Sequence, residues 1–130
     1  MVEELQGAGF VVLFDAPKPI FKAPPFRCSD WFNKVNAICE PGFEVSREEL
    51  LERRKPAMEA LRILEEKHKI LVWDPFPELC NRSVCSAFDG EAPIFYDGDH
   101  LTAYGNRLLV PSFARQIRKI WNVGEVPAGG

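Results

Sequence analysis

Residues 94–105 contain the side chains best suited to acid–base chemistry. They read Ile-Phe-Tyr-Asp-Gly-Asp-His-Leu-Thr-Ala-Tyr-Gly and include one of only two histidines in the chain. His100 follows Asp97 by three residues, and Gly98 between them favours a tight turn. On such a turn the carboxylate can bond the imidazole ring, fix its tautomer and stabilise its protonated form. The spacing therefore predicts a catalytic base, with Thr102 capping the helix that follows.

Two other interpretations of this segment stay open. Asp-Gly is a common turn dipeptide, and an acidic residue before a helix often only caps it. Asp97, Asp99 and His100 could also form a cation site. Calcium-loop spacing would need an oxygen ligand at Leu101 and a glycine at position 102, and neither is present. We therefore expect neither a metal nor another cofactor.

The elements that must position this segment follow from the apolar pattern. Residues 10–14 and 70–73 are continuous apolar runs, as expected of strands buried on both faces of a parallel sheet. Strands that alternate with helices predict an α/β fold. Asp15 and Asp74 end the two strands. We expect both carboxylates to gather with the His100 turn at the carboxyl rim of the sheet.

Two long helices complete the pattern. A capping box at residues 46–49 opens the first, in which Pro56 should cause a kink or a restart. His68 lies near the end of that helix and is predicted to complement the helix dipole rather than to act in catalysis. The second helix should run from about residue 103 to residue 121, and residues 122–130 are predicted to be a flexible tail.

The composition is that of a globular domain or part of one. The chain has 130 residues, of which 46% are hydrophobic, and a net charge of −3. A negative charge argues against a nucleic-acid partner. No apolar run reaches the length that crosses a bilayer, so we expect a soluble piece.

The four cysteines fall into two local pairs. Ten residues separate Cys28 from Cys39, and four separate Cys80 from Cys85. Closing these two short loops is the simplest of three possible pairings. A four-thiolate zinc site is the alternative, although neither pair has the two-residue spacing of a zinc knuckle. Two disulfides would place the chain in an oxidising compartment, the periplasm or outside the cell.

Residues 97–105 resemble the last conserved block of the SGNH (GDSL-like) hydrolases, Asp-x-x-His-Leu-Ser/Thr-x-x-Gly. With the cysteine pairs and Asp74-Pro75, they resemble the SGNH domain fused behind the membrane-bound acyltransferase family 3 module. Those proteins O-acylate bacterial surface polysaccharide and lipopolysaccharide. The resemblance covers about residues 5–121. It implies an incomplete flavodoxin-like three-layer sandwich with a parallel sheet, and an upstream membrane acyltransferase domain at the extracytoplasmic face of a bacterial inner membrane.

The resemblance also assigns roles. His100 would activate a serine hydroxyl and later protonate the leaving group, and Asp97 would hold its tautomer. Asp99 has no family role. The family's nucleophile lies in a Gly-Asp-Ser block, and its oxyanion donors lie in blocks upstream of the region covered here; no Gly-Asp-Ser occurs in the chain. Residues 1–121 would then be the C-terminal part of one SGNH-like domain, inactive alone, from a serine-dependent O-acyltransferase or esterase.

Two alternative functions follow from other features. Trp31 and Phe32, inside the first cysteine pair, are expected to cover the core edge but could stack on a sugar. The chain would then be a non-catalytic, disulfide-stapled module that binds carbohydrate or protein. A metal-dependent enzyme built on Asp97, Asp99 and His100 is the other alternative. An unpaired strand edge also predicts self-association.

Overall fold

The computed structural model describes residues 1–40 and 43–124. A parallel strand pair, two short antiparallel pairs and two long helices form the fold. In chain order the elements are α1 (Val2–Gly7), β1 (Leu13–Asp15), α2 (Pro25–Cys28), β2 (Glu44–Ser46), α3 (Arg47–His68), β3 (Leu71–Trp73), α4 (Phe76–Leu79), β4 (Val84–Ser86), β5 (Phe88–Asp89), β6 (Ala92–Pro93) and α5 (Ala103–Gly124), with a single 3₁₀ turn at Ala37–Cys39.

The parallel pair joins the two apolar runs. β1 pairs with β3 in parallel, and Phe14 lies opposite Val72. Together with the helices, this pairing confirms the α/β class, whereas the flavodoxin-like three-layer arrangement stays a prediction. The first strand is shorter than expected and does not include Phe10 and Val11. These two side chains are 63% and 62% exposed rather than buried. They lie before Leu13, where the ladder with β3 begins, so no partner strand covers them within the described residues.

Two antiparallel pairs were not expected. β2 pairs with β4, with Val45 opposite Cys85, and β5 pairs with β6. The chain from the second cysteine pair to residue 93 therefore forms three short strands among the described residues. Strands of two or three residues are too short to show a periodic pattern, so the sequence carries no signal for them.

The helix boundaries follow their capping residues. The Ser46 hydroxyl accepts the N–H of Glu49 at 3.1 Å, which confirms the predicted N-cap of α3. This helix continues through Pro56 and ends at His68, and the capping residue Lys69 that follows has a left-handed φ of 53°. Helix α5 begins at Ala103 as predicted but continues to Gly124. Of the predicted tail, residues 125–130 lie outside the described residues.

The core lies between the helices and the short strands. Both predicted disulfides are present, Cys28–Cys39 and Cys80–Cys85. The second disulfide is buried within the hydrophobic core. Other buried members of that core are Phe21, Leu50, Phe76, Leu79, Ala87, Ile94, Phe95 and Leu109. Within residues 1–40 and 43–124, no helix combines the length and the apolar character needed to span a bilayer.

Candidate active site

Asp97 and His100 lie in direct contact on one tight turn. Nδ1 of His100 is 2.9 Å from Oδ2 and 3.1 Å from Oδ1 of Asp97. Oδ1 of Asp97 also accepts the backbone N–H of His100 at 2.7 Å and that of Asp99 at 3.1 Å. The carboxylate is therefore fixed by the backbone of its own turn, and the imidazole ring is aligned on that fixed carboxylate.

The turn is closed by hydrogen bonds at its base. The N–H of Tyr96 donates to the carbonyl of His100 at 2.7 Å, and the N–H of Thr102 donates to the carbonyl of Ile94 at 2.9 Å. The hydroxyl of Thr102 accepts the N–H of Gly105 at 3.0 Å, so this residue caps α5 as the sequence predicts. The turn is thereby held between the buried core and the start of a long helix.

Gly98 is needed for space rather than for an unusual backbone angle. It is not among the described residues with positive φ. A Cβ atom at this position would collide with the backbone carbonyl oxygen of Phe21. The N–H of Phe21 donates to the carbonyl of Gly98 at 2.8 Å, which holds the two backbones together. The loop after β1 therefore packs directly against the turn.

The charges of this turn shift both pKa values. The N–H groups of His100 and Asp99, together with the ring of His100, hold the pKa of Asp97 below its usual range. The hydrogen bond to Asp97 raises the pKa of His100, and the negative charges of Asp97 and Asp99 act in the same direction. Asp99 Oδ1 lies 3.1 Å from the same ring nitrogen. From the sequence, this second carboxylate is expected only as a possible cation ligand, because neither the family motif nor the turn chemistry assigns it a role beside His100.

The contacts determine which ring nitrogen can accept a proton. Because the pKa of Asp97 is low, its carboxylate is ionised at neutral pH and can only accept hydrogen bonds. Nδ1 of His100 must then carry the proton, and Nε2 of the neutral ring is left as the proton acceptor. The side chain of His100 is 76% exposed, so a hydroxyl group can reach it. The arrangement can therefore take a proton from a substrate or from another protein group.

The ring of His100 lies at the wall of an open cleft of about 780 Å³, which we call the site cleft. Asp15, at the end of β1, also lines it, and its carboxylate pairs with Lys18 at 2.9 Å. The strand end and the turn thus converge as the topology predicts. The remaining lining residues are mainly apolar: Pro17, Ile20, Trp73, Asp99, Leu101, Asn106, Leu109, Val110 and Phe113.

Asp74 does not join this group, although the sequence predicts it at the same rim. Its Oδ1 accepts from Arg54 at 2.8 Å and from the N–H of Phe76 at 3.0 Å. The Arg54 side chain is only 7% exposed and lies 4.5 Å above the ring of Phe76. A buried guanidinium needs a counter-charge, so Asp74 forms an ion pair with Arg54 and does not take part in the candidate active site.

The site cleft lacks a nucleophile in the described part of the chain. Its lining contains no serine, threonine or cysteine. Ser46 caps α3, and the hydroxyl of Ser112 accepts from Nε1 of Trp73 at 2.9 Å. These two hydroxyls therefore have structural partners.

The same turn also offers ligand atoms to a cation. Atoms of Asp97, Asp99 and His100 lie within 4.8 Å of one another. A metal bound through the ring would compete with the Nδ1–H bond to Asp97 or would have to use Nε2 on the other side of the ring. The hydrogen bonds between Asp97 and His100 account for the observed contacts without a metal. The expected absence of a metal stays a prediction.

Comparison with known proteins identifies the family. Neither a search of curated proteins nor a search of solved structures finds a match. A family model described as "SGNH domain (fused to AT3 domains)" matches residues 1–115, which is most of the chain. This match includes the turn with Asp97 and His100, and it confirms the resemblance drawn from the sequence. The chain therefore belongs to the family of SGNH domains that are fused to AT3 domains.

Proposed function

We propose that this chain supplies the general base of an SGNH-type acyl-transfer site. His100 is the base and Asp97 is the carboxylate that orients it, in a serine-dependent O-acyltransferase or esterase of bacterial surface polysaccharide or lipopolysaccharide. The observation that carries the proposal is the contact between Nδ1 of His100 and both oxygens of Asp97, beside an open cleft. Family membership supports the hydrolase or acyltransferase class.

The chemistry proceeds by two acyl transfers. Nε2 of His100 takes the proton of a serine hydroxyl while that oxygen attacks the acyl carbonyl. The imidazolium then gives its proton to the departing oxygen of the acyl ester as the ester bond breaks, which leaves an acyl-serine and the free alcohol of the acyl donor. A sugar hydroxyl or water, deprotonated by the same nitrogen, then attacks the acyl carbon of the acyl-serine. The imidazolium returns the proton to the departing serine oxygen, which restores the serine hydroxyl and the neutral ring. Asp97 and Asp99 stabilise the imidazolium through their negative charges.

The serine is proposed to come from a segment of the parent protein outside this chain. The lining of the site cleft offers no hydroxyl or thiol in the described residues, so the transfer has no attacking atom here. We therefore expect the 130-residue chain to be inactive alone. Its two disulfides favour the periplasm or another oxidising compartment, and the fusion recorded for the family favours an upstream membrane acyltransferase domain as partner.

Aryl-acetate hydrolysis tests this proposal. The 130-residue chain and the protein extended upstream are assayed side by side, and only the extended protein should show turnover. His100→Gln in the extended protein should lower kcat by at least a hundredfold, as expected for loss of a general base. Asp97→Asn should lower kcat while leaving KM nearly unchanged.

His68→Gln is the matched control, because it removes the only other histidine of the chain. His68 lies at the end of α3, 3.5 Å from Glu3, so this variant should keep full activity. A chelator should also leave the rate unchanged. Equal rates for His100→Gln and the unmodified protein would refute the proposal, and loss of turnover with the chelator would favour the metal alternative.

A further inference from the structure

The loop closed by the Cys28–Cys39 disulfide carries a concentration of exposed apolar side chains. We call residues 26–38 the aromatic loop. Trp31 is 83% exposed and Val35 is 91% exposed, so the expectation that the aromatic residues cover the core edge is wrong for Trp31. The exposed members are Phe26, Trp31, Phe32, Val35 and Ile38. Exposed apolar patches of this kind mark interaction surfaces.

The uncharged polar side chains of the aromatic loop bond to its own backbone. Nδ2 of Asn33 donates to the carbonyl of Arg27 at 2.9 Å, and Oδ1 of Asn36 accepts the N–H of Ile38 at 3.1 Å. The hydroxyl of Ser29 donates to the carbonyl three residues before it at 2.6 Å. The amide and hydroxyl side chains of this loop therefore bond within the loop itself, and its apolar side chains project outward.

The backbone of the loop is also bonded internally by successive turns. The N–H groups of Asn33, Asn36 and Cys39 each donate to the carbonyl three residues earlier, at 2.8–3.0 Å. A peptide segment that enters an apolar environment must satisfy its backbone groups internally, because no water is available there. The aromatic loop meets this condition over much of its length, and the disulfide joins its two ends.

We propose that the aromatic loop inserts into the interface of an anionic phospholipid bilayer. Trp and Phe are favoured at the headgroup level of membranes, and lysine and arginine beside them bind anionic headgroups. Lys22, Arg27 and Lys34 are exposed, and none of them lies within ion-pair distance of a carboxylate among the described residues. They outnumber the two carboxylates of this stretch, Asp30 and Glu40.

The shape and chemistry of the aromatic loop favour a bilayer over a small ligand or a sugar as its binding partner. A small ligand binds in a concave pocket, whereas a side chain that is 91% exposed, such as Val35, projects into solvent. The amide side chains nearest the aromatic rings, which a sugar could otherwise bond, are those of Asn33 and Asn36, and both are bonded to the loop backbone. The inference does not depend on the proposed acyl transfer.

The aromatic loop is joined to the candidate active site. The ring of Phe26 lies 5.2 Å from that of Tyr96, the residue before Asp97. The backbone of Phe21, a few residues before the loop, is bonded to that of Gly98. Insertion of the loop would therefore hold the site close to the membrane surface.

Vesicle sedimentation tests the proposal on the full 130-residue chain. The chain should sediment with phosphatidylglycerol-containing vesicles and bind phosphatidylcholine vesicles more weakly. The double variant Trp31→Ser/Phe32→Ser should lower binding to both vesicle types by roughly tenfold or more, the effect expected for removing one buried aromatic side chain. Lys34→Gln should lower binding to the anionic vesicles only.

Phe10→Ser/Val11→Ser is the matched control, since it removes two similarly exposed apolar residues outside the loop and should bind vesicles as the unmodified chain does. Circular dichroism checks that each variant is folded. Equal binding by the Trp31→Ser/Phe32→Ser variant and the control would overturn the proposal. Saturable quenching of Trp31 fluorescence by a soluble glycan, without vesicle binding, would overturn it in favour of a carbohydrate site. Loop-dependent binding to the upstream membrane domain in detergent, without vesicle binding, would overturn it in favour of a protein partner.

Discussion

Replacing Gly98 by alanine tests whether the candidate active site depends on the close approach of two backbones. The added Cβ would collide with the carbonyl oxygen of Phe21, which is main chain and cannot rotate away. Forcing atoms into a packed region costs about 1–3 kcal/mol. Separating the two backbones also breaks the 2.8 Å hydrogen bond from Phe21 to Gly98, at about 0.5–1.5 kcal/mol.

The opposing effect of Gly98→Ala is smaller. Alanine restricts the unfolded chain and so stabilises the protein by about 0.4–1 kcal/mol. The net expectation is a loss of about 2 kcal/mol in the free energy of unfolding, or a fall in Tm of roughly 8 °C for a domain of this size. In the extended protein the displaced turn should also lower kcat, because His100 and the substrate lose their alignment.

Urea unfolding followed by circular dichroism, with the disulfides intact, measures this loss. Gly7→Ala is the matched control, because a Cβ at Gly7 meets no atom within 4 Å. This second variant should be as stable as the unmodified chain or up to about 1 kcal/mol more stable, since Gly7 is helical. If Gly98→Ala and Gly7→Ala have the same stability, the close approach at the turn does not exist and the reasoning fails.

The remaining predictions concern a buried ion pair, pH and association. Asp74→Asn should cost about 2–3 kcal/mol of unfolding free energy, because it leaves the buried guanidinium of Arg54 without a counter-charge. Arg54→Met should cost less in the same urea titration, since the carboxylate of Asp74 can be hydrated. A larger loss for Arg54→Met than for Asp74→Asn would contradict this account. Because the pKa of His100 is raised from 6.5, its pairing should stabilise the fold fully below pH 6.5 and lose that effect as pH rises through the folded pKa. The pKa of Asp97 is lowered from 3.8, so its contribution should be present above pH 3.8 and be lost as pH falls through the folded value. In the extended protein, kcat should rise with pH through the raised pKa of His100, and Asp97→Asn should move that rise to lower pH; an unchanged profile would refute the pairing. β1 pairs only with β3 among the described residues, so the chain should self-associate, and a monodisperse monomer in analytical ultracentrifugation would refute this.

Local interactions were predictable from the sequence. The contact of Asp97 with His100 spans three residues, and the capping bond from Ser46 to Glu49 spans the same distance. Turn chemistry and helix capping depend on residue types at fixed short spacings, so both could be predicted without knowledge of the fold. The two disulfides, which close short loops, were predictable for the same reason.

Interactions between distant residues were not predictable. Asp74 ends a strand as expected, but Arg54, twenty residues earlier, removes it from the site. The apolar run at residues 10–14 does not show how long its partner strand is, so the exposure of Phe10 could not be foreseen. The need for Gly98 likewise depends on Phe21, far away in the chain. These outcomes depend on which segments meet in three dimensions, a question that single-sequence patterns leave open.

The short range of the bonds around His100 has a kinetic and evolutionary consequence. Every hydrogen bond that orients its ring joins residues at most three apart. Contacts within a loop of about ten residues form on the order of 10–100 ns, so the proton acceptor can align early in folding, before the parallel strands meet. Because the bonds that orient the ring are all local, the Asp97–His100 pair can be kept in evolution while the other residues that line the site cleft diverge.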